Sequence, residues 1–392
     1  MSTILEQAQL VCNQNDWTSA NHYLQQLCLD NISESELTII LDLSLTILAQ
    51  GDFQQRWDVA KIIPKLGTIA IESLLIILED EQQDFEVRWF AGKILANFPE
   101  PEVIIAVVNL LVTTEVEELQ EIAAMTLASF SKKAIAPLVT LLSYPQYRLL
   151  ATRALAQIRS PEVIEPLLTV VTDADVNVRV IAIEALGSFG APTLTPILLN
   201  ALTDLAAVVR KEAVISLGLR VSVREEEELI RALQPLLQDI SLEVSQQTAI
   251  ALSKFSHPLA ATVLFSTLQS PLTPLPLQLT IIQSLAWLET EQSLNYLQQS
   301  LSLLEQPAIT EIITVLARIQ SITLKNLAGV ILTEFAQSNS PLLTDTTIKQ
   351  TLAYSLGQLN LTSTLPILEN LAEDEDTGVR LHARNAIDKI QS

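Results

Sequence analysis

Glycine, basic residues, cysteine and histidine are all scarce in this chain. Nine of its 392 residues are glycine, against an ordinary usage of about 7%. Tight turns are therefore few, and no glycine-rich loop is available to cradle a phosphate. Lys and Arg number 23 against 45 Asp and Glu, a formal net charge of −22. Nucleic-acid binding needs clustered cations, so that class is set aside. Two cysteines, Cys12 and Cys28, and three scattered histidines, His22, His257 and His382, make neither a disulfide framework nor a complete four-ligand zinc site.

Targeting and catalytic signatures are missing as well. No Lys or Arg precedes Arg56, whereas seven acidic residues do, a start unlike a secretory signal or a transit peptide. The longest apolar stretches, such as Val103–Val112, are broken by a polar residue (here Asn109), well short of the ~18 residues a membrane helix needs. The expectation is a cytoplasmic protein without a transmembrane segment. CxxC, HExxH, GxSxG, Walker and Rossmann signatures do not occur. Carboxylates abound, but nothing singles out a catalytic pair, so no catalytic residue is assigned.

What the chain does have is a repeat. Asp84-Phe-Glu-Val87-Arg88-Trp-Phe-Ala91-Gly-Lys-Ile-Leu95-Ala96 returns as Asp175-Val-Asn-Val178-Arg179-Val-Ile-Ala182-Ile-Glu-Ala-Leu186-Gly187. It returns again around Val209-Arg210 and at Asp376-Thr-Gly-Val379-Arg380. With the Val before Arg as marker, matching positions fall at Gln55, Val87, Leu119, Tyr147, Val178, Val209, Val244, Leu277, Ala308, Ile348 and Val379, mostly 31 to 35 residues apart. Eight residues after each marker stands Leu or Ile, in eleven copies of eleven. Marker, +4, +7, +8 and +11 share one face of a 3.6-residue period, so each copy is an amphipathic inner helix. At +11 only Arg220 is not apolar. Asp three residues before the marker (Asp52, Asp84, Asp175, Asp345, Asp376) suits a helix N-cap.

A second apolar helix separates successive inner helices, as over Pro101–Val112, Ala134–Leu142, Pro161–Val171, Ala191–Leu202, Glu225–Leu237 and Thr362–Leu371. Pro137, Pro166, Pro196, Pro235 and Pro366 stand in their first turns, where proline is tolerated. No alternating strand pattern occurs. The fold class expected is all-α, a solenoid of about eleven helical hairpins.

The Asp-x-x-Val-Arg-x-x-Ala-x-x-Ala-Leu-Gly core behind a proline-containing helix resembles HEAT repeats, and most closely the subtype of phycobilisome (bilin) lyase subunits, cyanobacterial in type. The resemblance runs from about Glu36 to Ile390. It implies a right-handed superhelix with a concave groove, and a ladder in which the motif Asp and Arg bridge adjacent repeats. Here these would be Asp84/Arg88, Asp175/Arg179 and Asp376/Arg380, with interruptions at Gln120, Ser245, Gln278 and Ile309.

Residues 1–33 are expected as a capping helical hairpin, 34–270 as the regular array, and 271–392 as divergent repeats. Pro271-Leu-Thr-Pro274-Leu-Pro276 forces an extended turn, either a joint or an ordinary loop. The acidic run Glu225–Glu228 reads as a solvated helix start. The long interval between Ala308 and Ile348 lengthens the preceding helix over Thr323–Gln337.

One constellation stands out for binding. Arg56-Trp57…Lys61 and Arg88-Trp89…Lys93 are the same pattern 32 residues apart. Trp and Lys four apart share a helix face and can form a cation–π contact. Arg153 falls at the Lys position two copies later, and Lys211 at the Trp position of a later copy. The result is a basic–aromatic strip on an acidic chain, a surface for a protein partner of acidic or aromatic character. The same tryptophans also fit as packing between inner helices, and the pattern leaves both open. Cys12 and Cys28 read first as small core residues, and second as thiolates offered to a soft metal.

Three functions follow. The first is a non-catalytic scaffold that binds protein in its groove and assists maturation of a cofactor-bearing partner, with no cofactor of its own. The resemblance implies the second, a lyase-like subunit handling a linear tetrapyrrole whose propionates meet Arg56, Lys61, Arg88 and Lys93. The third, from the two cysteines, is an accessory to an iron–sulphur cluster carrier.

Overall fold

The computed structural model describes residues 3–29, 33–220 and 226–392. Among these every regular element is helical and no strand occurs. Contacts gather the chain into two compact units, Met1–Phe189 and Gly190–Ser392.

In the first unit the helices Thr3–Asn13 and Trp17–Leu27 pack as a hairpin, and Glu34–Gln50 follows. The inner helices are Phe53–Val59, Phe85–Leu95, Glu117–Ser129, Arg148–Gln157 and Val176–Ser188. In the second unit they are Ala207–Gly218, Leu242–Leu252, Leu275–Trp287, Gln306–Leu316, Thr346–Leu359 and Thr377–Gln391. From Phe85–Leu95 on in the first unit, and throughout the second, these helices pack on one another in succession, with outer helices against the same stack, while Phe53–Val59 meets Phe85–Leu95 through its rings. This is the α-solenoid class. Its cause is the +8 position: ten of the eleven Leu or Ile residues there are fully buried, Ile387 being half-buried. Each such burial contributes about 1.5–3 kcal/mol.

The prolines shape the outer helices more than the sequence suggests. The segments expected as single helices open with 3-10 turns at Pro161–Val163, Pro192–Leu194 and Thr362–Thr364 before the α-helix begins. Pro166, Pro196 and Pro366 lack the N–H that an earlier α start would use, so they fall in the first α turn instead. Pro137 sits inside its helix, Lys132–Leu142, and Pro235, expected in a first turn, instead follows the end of Glu226–Leu233 in the 3-10 turn Gln234–Gln238. The helix expected from Glu225 is described from Glu226 onward; Glu225 lies outside the described residues. Glu226 is not solvated. Its buried carboxylate accepts from His257 N at 2.8 Å and from Ser256 Oγ at 3.1 Å, because it sits at the start of the Pro258–Leu268 helix, where amides need acceptors. Thr273, in the 271–276 turn, is buried and donates to Thr267 O at 2.5 Å.

Glycine is used where inner helices nearly touch. A Cβ on Gly218 would lie 2.8 Å from Ala251 Cβ, and one on Gly357 2.6 Å from Ala386 Cβ. Both glycines stand nine residues after a marker, each against an alanine of the next repeat.

A ladder links the repeats, but its ion pairs at Arg148, Arg210 and Lys349 run through other carboxylates than the motif aspartates. Asp84, Asp175 and Asp376 cap their own helices, accepting from Glu86 N at 2.9 Å, Asn177 N at 2.8 Å and Val379 N at 2.9 Å. Asp376 also accepts from Gln350 of the preceding repeat at 3.0 Å. The motif arginines turn toward backbone carbonyls: Arg88 Nε to Leu78 O at 3.0 Å, Arg179 Nη1 to Asp173 O at 2.8 Å, Arg380 Nη1 to Asp374 O at 2.7 Å. Three rungs between repeats use an Asp five residues before the marker, while Arg56 meets Glu86, one residue before its marker, at 2.7 Å. Arg148 meets Asp173 at 2.6 Å, Arg210 meets Asp239 at 2.6 Å and Lys349 meets Asp374 at 2.6 Å. Where the cation is replaced by Gln120, Ser245, Gln278 or Ile309, the acid position of the next repeat is Leu142, Leu272, Leu303 or Leu343. At these four positions both members change together, whereas Arg56 and Arg88 keep the cation opposite Gln82 and Thr114. Gln120, Ser245 and Gln278 keep the carbonyl bond, to Thr114 O, Asp239 O and Thr273 O.

Candidate functional site

The repeated Trp-x-x-x-Lys pattern folds into one aromatic cluster with a single ammonium in it. Phe90, fully buried, is its wedge. The ring of Trp89 meets it at 5.1 Å and 87°, that of Trp57 at 6.4 Å and 80°, and that of Phe53 at 5.4 Å. Phe53 stacks on Trp57 at 6.2 Å and 24°. Lys93 Nζ lies 4.5 Å from the Trp57 ring centre and 5.3 Å from that of Trp89. One cation thus binds two indoles from neighbouring repeats. The tryptophans are half-buried and Phe53 is 55% exposed, so the cluster is both packed and open to a partner.

Lys61 does not repeat the role of Lys93. Its helix ends at Val59, because Pro64 clashes with a continued helix and cannot donate to it. Lys61 therefore lies in the turn beyond, paired with Asp58 at 2.9 Å. Gln54 and then Lys61 hold the Asp58 carboxyl below its ordinary value.

Arg56 and Arg88 are drawn out of the strip. Arg56 donates to Leu48 O at 3.0 Å and pairs with Glu86 at 2.7 Å, leaving its side chain 13% exposed. Arg88 is buried against the end of the preceding helix. These guanidiniums hold carbonyls that the C-terminus of a helix leaves without partners. Lys211, in the second unit, pairs with Glu243 at 2.8 Å. Arg153 is exposed two repeats beyond Trp89.

Phe53 and Phe90 belong to the cluster but were not singled out from the sequence. For Phe53 the available signal is Phe53-Gln-Gln-Arg56-Trp57 against Phe85-Glu-Val-Arg88-Trp89, an aromatic pair four residues apart in each copy; Phe90 lies outside that pattern, and the repeat carries no mark for it.

Cys12 is buried and Cys28 half-buried. Burial raises both thiols, with Lys65 opposing it at Cys28, which favours the neutral form over the thiolate a soft metal takes. Among the described residues no group of three or more His, Cys, Asp or Glu is placed to hold a metal, and no helix is long and apolar enough to cross a membrane.

The family described as HEAT repeats matches residues 135–218 and 195–276, so the middle of the chain is similar to HEAT repeats in sequence. Among solved structures, importin beta in an ammonium sulfate condition is 13% identical, with a TM-score of 0.52 over 98% of this chain and 59% of that one. The karyopherin Kap121p bound to the SUMO protease Ulp1p is 14% identical, with a TM-score of 0.51 over 96% of this chain and 51% of that one. Kap121p bound to Pho4p gives the same values. The chain thus spans between half and three-fifths of these structures, and at such identities the likeness is one of fold. No curated protein matches the chain.

Proposed function

We propose that the chain is a protein-binding scaffold that grips its partner on the inner-helix face of the first unit. The observation that carries this is the Lys93 ammonium held between Trp57 and Trp89, beside the exposed ring of Phe53. Aromatic groups rimmed by a cation are the chemistry of interface hot spots. On a chain of net charge −22 such a patch selects a partner segment with an acidic or aromatic residue. The fold likeness agrees, since the Kap121p structures hold the proteins Ulp1p and Pho4p. The setting we favour is cytoplasmic maturation of a cofactor-bearing protein, in line with the resemblance to bilin lyase repeats.

Affinity capture from native lysate, comparing wild type with Trp57→Ala/Trp89→Ala, tests this. A partner held by wild type alone, with helical circular dichroism unchanged, supports it. An unchanged partner list refutes it and reduces the cluster to packing. The absorbance of the eluate decides the second reading. Lys93 between two flat rings also suits a propionate on a linear tetrapyrrole, and a pigmented eluate moves the function to bilin handling.

A further inference from the structure

We propose that this face reads an extended polypeptide segment whose charges alternate along it: acidic at the aromatic cluster, then basic, then acidic, then basic. This rests on the reading that the face binds protein. Glu121 and Arg153 stand two and six residues after their markers, as Trp89 and Lys93 do, so the helical period carries the same face from repeat to repeat.

Beyond the cluster this face opens into two adjoining clefts. The first, about 250 Å³, lies between Glu117–Ser129 and Arg148–Gln157 and is lined by Glu117, Glu121, Arg153 and Gln157. The second, about 510 Å³, lies between Arg148–Gln157 and Val176–Ser188 and is lined by Gln157, Arg159 and Glu184. Gln157 borders both. All six side chains are exposed, and none makes a hydrogen bond or ion pair among the described residues. Arg56, Lys61 and Arg148 of the same unit, by contrast, are all paired.

The order along the face is therefore positive at Lys93, negative at Glu117 and Glu121, positive at Arg153 and Arg159, and negative at Glu184. Packed helices lie ~10 Å apart and an extended chain advances ~3.3 Å per residue. The complementary charges then fall about every third residue of the partner. Charge order of this kind sets register and rejects wrong partners more than it raises affinity.

The probe is a labelled serine–glycine peptide carrying Tyr-Asp, then Arg, Asp and Arg at every third residue. It is made in both chain directions and titrated against the full chain by fluorescence anisotropy. The control has the same composition with each Asp and Arg exchanged. We expect the designed order to bind roughly tenfold more tightly in one direction. We also expect Arg153→Glu/Arg159→Glu to shift the preference to a peptide whose second Asp is replaced by Arg. Equal binding of both orders, or binding of neither, overturns the charge register. Lysate capture separates the two claims. Should the captured partner depend on Trp57 and Trp89 but not on Arg153 and Arg159, the scaffold stands and the register falls. Should it depend on neither pair, both fall.

Discussion

Lys93 lies closer to Trp57 of the preceding repeat, 4.5 Å from its ring centre, than to Trp89 on its own helix, 5.3 Å away. The cation is thus an inter-repeat contact. Replacing it by Lys93→Gln keeps much of the stem and removes the charge. The expected loss is about 0.5–1 kcal/mol of stability with helical content unchanged, read by urea unfolding. No loss at all would mean that the ammonium merely rests over the rings.

Arg210 and Lys211 are neighbours in sequence with opposite consequences. Arg210 bonds Asp239 through Nε at 2.7 Å and Nη2 at 2.6 Å, with 12% and 8% of the two side chains exposed. Asp239 in turn raises the guanidinium pKa above its ordinary value. Arg210→Gln leaves a buried carboxylate without its partner, and should cost about 3 kcal/mol. Lys211→Gln breaks a pair in which Glu243 is 72% exposed, and should leave the urea midpoint where it was.

Acid should weaken the rungs. Hydrogen bonding from Arg210 and Lys349 holds the carboxyls of Asp239 and Asp374 below their ordinary values. At Asp173 burial pushes upward, but the Asp175 amide and Arg148 outweigh it and the net direction is also downward. The folded state therefore takes up these protons less readily than the unfolded chain. The stabilisation is complete above the unfolded carboxyl value of about 3.9 and is lost as pH falls through the lower folded values. A urea midpoint flat from neutral pH to about 5, then falling below about 4, is expected. The fall should be shallower in Arg210→Gln. Equal slopes in the two proteins would exclude Asp239 as a source.

Gly357→Ala gains helix propensity of about 1 kcal/mol yet should destabilise, because the new methyl would meet Ala386 Cβ at 2.6 Å and Ala386 Cα at 3.0 Å. Backbone on the far side cannot yield cheaply. The thermal midpoint should drop in the single variant and recover in part with Ala386→Gly. A rise in the single variant would show that the helices separate without cost.

The repeat, its markers and its +8 core were legible because burial is periodic and identical in each copy, as Leu95, Leu186 and Leu356 show. The caps at Asp84 and Asp376 were legible for the same local reason. The ladder was not, because Asp173 and Asp175 are both Asp and two residues apart, and sequence alone does not say which one faces the previous helix. Lys61 and Lys93 are equivalent in spacing, and only Pro64, which stops the first helix at Val59, sets them apart. Arg56 and Arg88 looked like surface cations because the carbonyls they hold belong to a neighbouring turn, a partner that side-chain spacing does not display.

The rungs of the second unit are ionic at Arg210–Asp239 and Lys349–Asp374 and neutral at Ser245, Gln278 and Ile309 between them. Its compliance is therefore graded. Salt screens exposed pairs far more than covered ones, and the side chains of these two rungs are only 8–25% exposed. The flanks of this unit therefore hold in salt and slacken only when acid discharges their carboxylates, while its uncharged middle is indifferent to pH: the unit is a spring whose soft turns are chosen by protons.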